Sequence, residues 1–219
     1  MKKKSYIVAI TGASGSIYGF RLLEELINHN YYVYLIISKP AFKVIKDELN
    51  MFSCINLNNN ENGATNTNYI YNNIYSEIKS KFNIDDKDNY EYLDEMFIEA
   101  KISSGSASGI RGMAVIPCSM GSLSRIANGS SGNLIERASD VMLKERKKLI
   151  VSPRETPLND IHLKNMLSLS RSGAIILPPI PAFYNKPKSI DDMVNFIIGK
   201  IMDSFGIENN IYKRWETNN

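Results

Sequence analysis

The sequence predicts an α/β fold: a Rossmann-like three-layer αβα sandwich with a doubly wound, mainly parallel sheet. Three observations predict it. Short Val- and Ile-rich runs alternate with stretches of helical period, polar loops follow several of these runs, and the chain has 219 residues. Strands that are apolar throughout are typical of parallel sheets covered by helices on both faces. A chain of this length fits a single domain over residues 1–219.

The individual elements follow in order along the chain. Strands are predicted where apolar residues run together, over residues 6–11, 32–37, 113–117, 148–152 and 174–178. Helices are predicted where apolar residues recur at helical spacing, over residues 16–28, 40–49, 134–146, 161–170 and 190–205. Right-handed crossovers between successive parallel strands would then place helices on both faces of the sheet.

Residues 58–92 break this alternation. The stretch is rich in Asn, Asp and Tyr, which predicts a polar surface insertion within the domain. Ile70, Ile74, Ile78 and Phe82 recur every four residues, and this spacing permits one amphipathic helix inside the insertion.

The composition excludes several classes of protein. The net charge of +3 is too small to indicate nucleic-acid binding. Cys54 and Cys118 belong to no CxxC pair, and the only two histidines lie far apart, so no zinc signature is present. No stretch approaches the roughly 18 apolar residues of a membrane helix. The first apolar run, over residues 6–10, is too short for a signal peptide. These features predict a cytoplasmic protein without a membrane span or a bound metal.

The first predicted strand runs into a loop with the sequence TGASGSIYG. Glycines between a strand and a helix let the backbone approach a phosphate, which the helix N-terminus stabilises. Ser14 and Ser16 add hydroxyl donors. The spacing is GxxGxxxG rather than the dinucleotide-binding GxGxxG, so a tight turn that requires glycine also explains the loop.

Two further polar segments follow predicted strands. The loop PCSMGSLS covers residues 117–124, and Arg154 and Glu155 follow the strand at 148–152. Open α/β sheets bind ligands at the carboxyl ends of their strands, so these residues are expected at a common ligand edge. The charged run over 144–148 fits an anion site and a solvated helix face equally well.

Several motifs occur in a familiar order: TGASGSIYG, PCSMGSLS, NLIERASDVMLKER, PRETPL, LPPIPAFY and a closing RW. Over residues 5–50 and 100–215 the chain resembles the UbiX family of flavin prenyltransferases. The resemblance implies transfer of a dimethylallyl group from dimethylallyl phosphate to N5 and C6 of reduced FMN, without a metal. The product, prenylated FMN, is the cofactor of UbiD-type decarboxylases. The family forms homo-oligomers, typically dodecamers, with the active site at a subunit junction.

The resemblance also implies roles for individual residues. Those that match the FMN-binding positions are Gly12, Ala13, Ser14, Ser38, Ser119, Met120, Gly121, Ser122 and Arg154. Those that match the prenyl-phosphate side of the site are Tyr184, Lys200, Arg137, Lys144 and Trp215. Lys200 is Arg in some relatives, so this chain would present a point charge in place of a bidentate fork.

The catalytic residues implied by the resemblance are Glu155, Lys144 and Ser14. Lys144 and Ser14, with Tyr184 and Lys200, would stabilise the leaving phosphate as the allylic bond breaks. The indole of Trp215 would face the allylic cation. Glu155, or the phosphate itself, would accept the proton lost from the flavin carbon.

Three alternatives stay open. An FMN-binding decarboxylase of the same fold would need a His and a PxMN motif, which the chain lacks. A short-chain dehydrogenase would need Tyr-x-x-x-Lys on a helix, and Tyr184 and Lys188 have this spacing, but Pro187 between them forbids a regular helix. A non-enzymatic flavin carrier is favoured only by loss of the catalytic set, and that set is present.

Overall fold

The computed structural model describes residues 3–53, 65–82, 84 and 89–215. Cys54 lies outside the described residues. So do residues 58–64, 83 and 85–88 of the predicted insertion and the side chain of Ile70. The strands are β1 (Ser5–Ile10), β2 (Tyr32–Ile37), β3 (Tyr90–Asp94), β4 (Ile110–Cys118), β5 (Lys148–Pro153) and β6 (Ile175–Ile176). They form one sheet in the order β3-β2-β1-β4-β5-β6. Every pair of neighbouring strands is parallel, which confirms the predicted fold class.

The helices cover both faces of this sheet. They are α1 (Ser16–Asn28), α2 (Lys39–Leu49), α3 (Thr65–Phe82), α4 (Met120–Ala127), α5 (Leu134–Lys144), α6 (Asp160–Arg171) and α7 (Ile190–Phe205). Val8 and Ile10 of β1 pack with α1, α2, α3 and α7 in one core. Ile7 and Ala9 point the other way, into a second core with α4, α5 and α6. No helix in the described part of the chain is long and apolar enough to cross a membrane.

Two element boundaries differ from those predicted. The helix predicted to reach residue 146 ends at Lys144, because Arg146 adopts a left-handed φ of 54° and the chain turns there into β5. The last predicted strand shrinks to Ile175–Ile176. Pro178 and Pro179 follow it and have no N–H to donate to a sheet ladder.

The predicted surface insertion is wrong at its C-terminal boundary. Tyr90 and Tyr92 lie in β3, are 2% exposed and pair in parallel with β2. The helix permitted by the four-residue spacing exists as α3, and its Ile74 and Ile78 side chains are fully buried. The described part of this segment therefore belongs to the sheet and to one of its cores.

Asp191 and Asp192 lie in the first turn of α7. Ser189 accepts a hydrogen bond from the backbone N–H of Asp192, and the Asp192 carboxylate accepts one from the backbone N–H of Ser189. This reciprocal cap satisfies two amides that a helix N-terminus leaves without partners. Gly206 ends the helix with a left-handed φ of 78°.

Candidate active site

The loops after β1 and β4 are joined by one side chain, Thr11. Its hydroxyl donates to the carbonyl of Pro117 at 2.8 Å and accepts from the backbone N–H of Ser119 at 2.8 Å. Thr11 is 1% exposed, so water does not compete for these bonds. The strand order reverses between β1 and β4, and open α/β sheets bind ligands at such a switch point.

The loops on either side join the same edge through backbone hydrogen bonds. The N–H of Ser38, after β2, donates to the carbonyl of Ile10 at 2.9 Å. The N–H of Arg154, after β5, donates to the carbonyl of Cys118 at 3.0 Å. The loops after β1, β2, β4 and β5 therefore form one continuous surface, called the ligand edge below. The structure brings the predicted FMN-binding residues together there.

Ser38 has the clearest unmet requirement at the ligand edge. Its side chain is 6% exposed, and its hydroxyl has no hydrogen-bond partner within the described residues. Ser38 is also the N-cap residue of α2. The Lys39 N–H donates to the Glu95 carboxylate at 2.5 Å and Pro40 has no N–H, so the first two positions of this helix leave no amide for a ligand. Beside them, a Cβ at Gly12 would lie 2.7 Å from Cβ of Pro40, so only glycine permits this close approach. The Ser38 hydroxyl is the donor that remains for a phosphate-bearing ligand.

The N-terminus of α1 already holds a carboxylate, that of Glu48. This carboxylate accepts hydrogen bonds from the N–H of Gly15 at 2.9 Å, and from the N–H and hydroxyl of Ser16 at 2.9 and 2.7 Å. Burial raises the pKa of Glu48, but hydrogen bonds from Ser14, Ser16 and the backbone outweigh it and hold the pKa below its ordinary value. The donors that the sequence offers to a phosphate at this helix are therefore occupied internally. Sequence reasoning missed Glu48, which lies 32 residues from Ser16.

The predicted loop Ser119–Ser122 is instead the cap and first turn of helix α4. Ser119 accepts from the backbone N–H of Ser122 at 3.2 Å and donates to its hydroxyl at 3.1 Å. Leu123 and Ile126 are buried and anchor this short helix to the sheet. Met120 is half-buried and Gly121 is exposed, so a ligand at this edge can reach the start of the helix.

Arg154 and Glu155 lie exposed at the end of β5. The Glu155 carboxylate accepts from the backbone N–H of Thr156 at 3.0 Å. No ion pair joins Glu155 to any other described residue, including Arg154, its neighbour in sequence, and Arg137 of the predicted site. A cavity of about 440 Å³, in the usual range for ligand sites, is lined by Pro153, Arg154, Glu155, Thr156, Pro157, Leu158, Met166, Pro178, Pro179 and Ile180.

Arg137 and Lys144 lie two turns apart on α5, beside the loop at 103–106. The Arg137 guanidinium donates to the carbonyl of Ser103 at 3.1 Å and pairs with Asp140 at 2.9 Å. A Cβ at Gly105 would lie 2.5 Å from Nζ of Lys144, so the loop passes close to this cation. No described contact joins either cation to the other residues predicted on the prenyl-phosphate side, which are Tyr184, Lys200 and Trp215.

Tyr184, Lys200 and Trp215 lie together at α7. The rings of Tyr184 and Trp215 meet edge to face with centroids 5.3 Å apart, and Tyr184 also lies 6.0 Å from the ring of Phe196. Phe196 and Lys200 are one helical turn apart, so Lys200 emerges on the same side of α7. These three rings and that of Tyr212, 5.4 Å from Phe196, are called the aromatic cluster below. Sequence reasoning missed two of these rings. Phe196 lies in an apolar helix and is typical of a core residue, and Tyr212 follows the helix.

The described cysteine is unsuited to nucleophilic chemistry. Cys118 is fully buried, and burial raises the pKa of its thiol to about 12. A thiol acts as a nucleophile only as the thiolate. Among the residues that the structure describes, no three His, Cys, Asp or Glu side chains converge in a way that could hold a metal ion.

Known proteins match this chain over almost its whole length. The family model Flavoprotein matches residues 1–202. The flavin prenyltransferase UbiX of Alkalihalophilus pseudofirmus is 44% identical, covering 97% of this chain and 96% of its own. The flavin prenyltransferase UbiX of Methanocaldococcus jannaschii is 47% identical, covering 96% and 98%.

Two solved structures are similar as well. The crystal structure of AnUbiX in complex with FMN and dimethylallyl pyrophosphate has a TM-score of 0.81 at 35% identity and covers 99% of both chains. The dodecameric FMN-dependent UbiX-like decarboxylase of Escherichia coli O157:H7 has a TM-score of 0.79 at 36% identity, covering 97% of this chain and 100% of that one.

The doubly wound sheet, the ligand edge and the family match define a protein of the Flavoprotein family. Within it, the chain belongs to the UbiX-like flavin prenyltransferases, because curated members are 44% and 47% identical over nearly the full length.

Proposed function

We propose that this chain transfers a dimethylallyl group from dimethylallyl phosphate to N5 and C6 of reduced FMN, without a metal ion. The observation that carries the proposal is the buried Ser38 hydroxyl without a partner, located at the ligand edge of a chain related to flavin prenyltransferases. An unpaired buried hydroxyl costs about 1–3 kcal/mol. A bound phosphate would satisfy it.

The ligand edge is proposed to hold FMN. When bound and reduced, FMN supplies the nucleophilic N5 and C6 atoms. The Ser38 hydroxyl would bind its phosphate, and Arg154 would add a positive charge at the far end of the edge. The remaining flavin contacts are proposed for Gly12, Ala13, Ser14, Ser119, Met120, Gly121 and Ser122.

The aromatic cluster is proposed to hold the prenyl phosphate. The Tyr184 hydroxyl and the Lys200 ammonium would bind the phosphate and stabilise the charge that develops as it leaves. The face of Trp215 would stabilise the allylic cation. Tyr184 is 46% and Trp215 70% exposed, so both rings are accessible to a substrate.

Arg137 and Lys144 are proposed to complete the site across a subunit junction, because their ion pairs are with Asp140 and Glu145 and no described contact joins them to the aromatic cluster. The assembly would be a homo-oligomer, and we propose a dodecamer like the similar E. coli protein. Exposed apolar side chains on α6 support association: Leu163 and Leu167 lie one turn apart and are 52% and 50% exposed, and Ile161 is 66% exposed. Exposed apolar patches commonly mark interfaces.

Glu155 is proposed as the acid–base group, relaying a proton between the leaving phosphate and the flavin. Its carboxylate has only the Thr156 amide as a described partner, so it is available for proton transfer. The Ser14 hydroxyl, which hydrogen-bonds the Glu48 carboxylate, would have to leave it in order to donate to the leaving phosphate.

The test is anaerobic incubation of the purified chain with reduced FMN and dimethylallyl phosphate, followed by mass spectrometry of the released flavin. The expected product is FMN enlarged by one five-carbon unit. If FMN binds and only unmodified flavin returns, the chain is a carrier or, like the E. coli protein by its description, a decarboxylase. Parallel reactions with the monophosphate and the diphosphate identify the donor.

The product is further proposed to serve a UbiD-type decarboxylase in the cytoplasm. Adding the released flavin to such a decarboxylase prepared without cofactor should restore its activity, whereas FMN alone should not. Decarboxylase activity that is restored equally by FMN would contradict this link.

A further inference from the structure

The segment after α7 folds back along that helix. Its side chains contact α7 between Phe196 and Asp203. Asn209 donates to the Asp203 carboxylate at 2.9 Å, and the ring of Tyr212 reaches Phe196 at 5.4 Å. Trp215 then meets Tyr184. The segment therefore carries Trp215 from the end of α7 to the prenyl-phosphate side of the site.

One carboxylate, that of Asp203, receives most of the polar contacts of this segment. The guanidinium of Arg214 binds it with both terminal nitrogens, at 2.7 and 3.0 Å, and the Tyr212 hydroxyl donates to it at 2.7 Å. Hydrogen bonding from Arg214 first, then from Tyr212, holds the pKa of Asp203 below its ordinary value. Planar two-point pairing of this kind fixes geometry as well as charge.

The aromatic ring of Tyr212 lies between Arg214 and α7. The Arg214 guanidinium lies 5.0 Å from the centre of this ring. On the other side, a Cβ at Gly199 would lie 2.1 Å from Cδ1 of Tyr212, so only glycine lets the ring rest on the helix. Gly199 directly precedes Lys200, so the ring and the proposed phosphate-binding cation occupy neighbouring positions on α7.

Trp215 itself is 70% exposed, so burial contributes little to holding it. Its neighbour Arg214 is held by two hydrogen bonds to Asp203. We infer that Asp203, Tyr212 and Arg214 form a C-terminal latch that positions Trp215 beside Tyr184 for catalysis. This inference rests on the proposed function. The three latch residues are positioning residues, because they act on the prenyl group through Trp215.

Trp215 is the only tryptophan in the chain, so its fluorescence reports the latch without any ligand. The variants are Asp203→Asn, which removes the charge and keeps the shape, Tyr212→Phe, which removes the hydrogen bonds to Asp203 and from Arg214, and Arg214→Lys, which keeps the charge. Lys164→Gln is the matched control, since it removes an exposed ion pair with Asp160 on α6. Thermal unfolding checks that each variant is folded.

In Asp203→Asn the fluorescence anisotropy of Trp215 should fall toward that of a flexible peptide. The KM for dimethylallyl phosphate should rise roughly 5- to 30-fold, the factor that corresponds to one or two kcal/mol, with FMN affinity unchanged. Tyr212→Phe and Arg214→Lys should give smaller changes in the same direction. Lys164→Gln should change neither quantity.

The outcomes separate the latch from the proposed function. Absence of prenylated flavin from the wild-type chain would reject the proposed function. With wild-type activity established, unchanged anisotropy in folded Asp203→Asn would reject the latch. Loss of anisotropy with an unchanged KM and turnover would also overturn the inference, because the latch would then hold a segment that the reaction does not use.

Discussion

The ligand edge and the aromatic cluster serve one proposed reaction but are built in different ways. At the ligand edge, Thr11 joins the loops after β1 and β4 through a buried hydroxyl. Backbone hydrogen bonds from Ser38 and Arg154 attach the loops after β2 and β5. In the aromatic cluster, Tyr184 and Trp215 meet through exposed rings, and a single carboxylate holds the segment that carries the indole. The first region is fixed by the sheet and the second by side chains.

This difference separates the effects of mutation. Backbone hydrogen bonds survive most substitutions, so the ligand edge should tolerate changes except at Thr11 and at side chains that touch flavin directly. The aromatic cluster depends on individual side chains, so single substitutions there should alter prenyl-phosphate binding while FMN binding persists. Glu155 lies at the end of β5 and lines the cavity together with Arg154 of the ligand edge.

The largest effect is expected for Glu155→Gln, which keeps the shape of the side chain but cannot accept a proton. Loss of general acid–base catalysis typically lowers the rate by about 10²–10⁴-fold. Single-turnover formation of prenylated FMN should fall by such a factor, with FMN affinity retained. Glu91→Gln, the same change at an exposed acid on β3, is the control. Turnover near the wild-type value in Glu155→Gln would leave this carboxylate a structural role.

Lys200→Met is expected to affect the prenyl side alone. Removal of a charge that pairs with a buried phosphate typically costs about 2–5 kcal/mol. Calorimetry should show this loss for dimethylallyl phosphate and almost none for FMN. Lys200→Arg should retain most of the affinity, because it restores the charge as a fork. Equal weakening of both ligands in Lys200→Met would contradict the separation of the two regions.

Ser38→Ala should have opposite effects on stability and on flavin binding. Without ligand, removal of an unpaired buried hydroxyl should raise the free energy of unfolding by about 1 kcal/mol. FMN affinity should fall roughly tenfold or more, since a hydrogen bond to a charged group is worth about 1.5–3 kcal/mol. Ser152→Ala is the matched control. Its buried hydroxyl donates to the carbonyl of Leu177 at 2.6 Å, so its loss should lower stability. A destabilised Ser38→Ala would show that this hydroxyl has a partner within the protein.

The smallest effect is expected for Glu48→Gln and should depend on pH. The pKa of Glu48 in the folded protein lies below its ordinary value of 4.5, so the carboxylate stabilises the fold where it is ionised. The stability advantage of the wild type over Glu48→Gln should be complete well above pH 4.5 and should shrink as the pH falls through the folded pKa. Urea unfolding at several pH values measures it. An advantage that grows on acidification would contradict the assignment.

The sequence predicted the central part of the fold because its signals there are local. Runs such as Tyr32–Ile37 are apolar throughout and can only be buried strands, and the parallel order follows from the helices between them. The carboxyl edge followed for the same reason, since Gly12, Ser119 and Arg154 each come directly after a strand. Their placement needed no knowledge of distant contacts.

The parts that the sequence did not predict depend on tertiary contacts. The strand β3 alternates Tyr with charged residues and reads as polar, yet pairing with β2 buries Tyr90 and Tyr92. The carboxylate of Glu48 reaches the N-terminus of α1 from the following helix, and no spacing rule connects them. The latch likewise joins Asp203 to Arg214 across the end of a helix, where the segment could fold in several ways.

The double hydrogen bond of Thr11 has a consequence for binding entropy. Because the loops after β1 and β4 are joined before any ligand arrives, FMN should lose little affinity to the ordering of the protein. The latch orders Trp215 beside Tyr184 in the same way before the prenyl donor arrives, so Asp203→Asn should make the binding entropy of dimethylallyl phosphate more unfavourable.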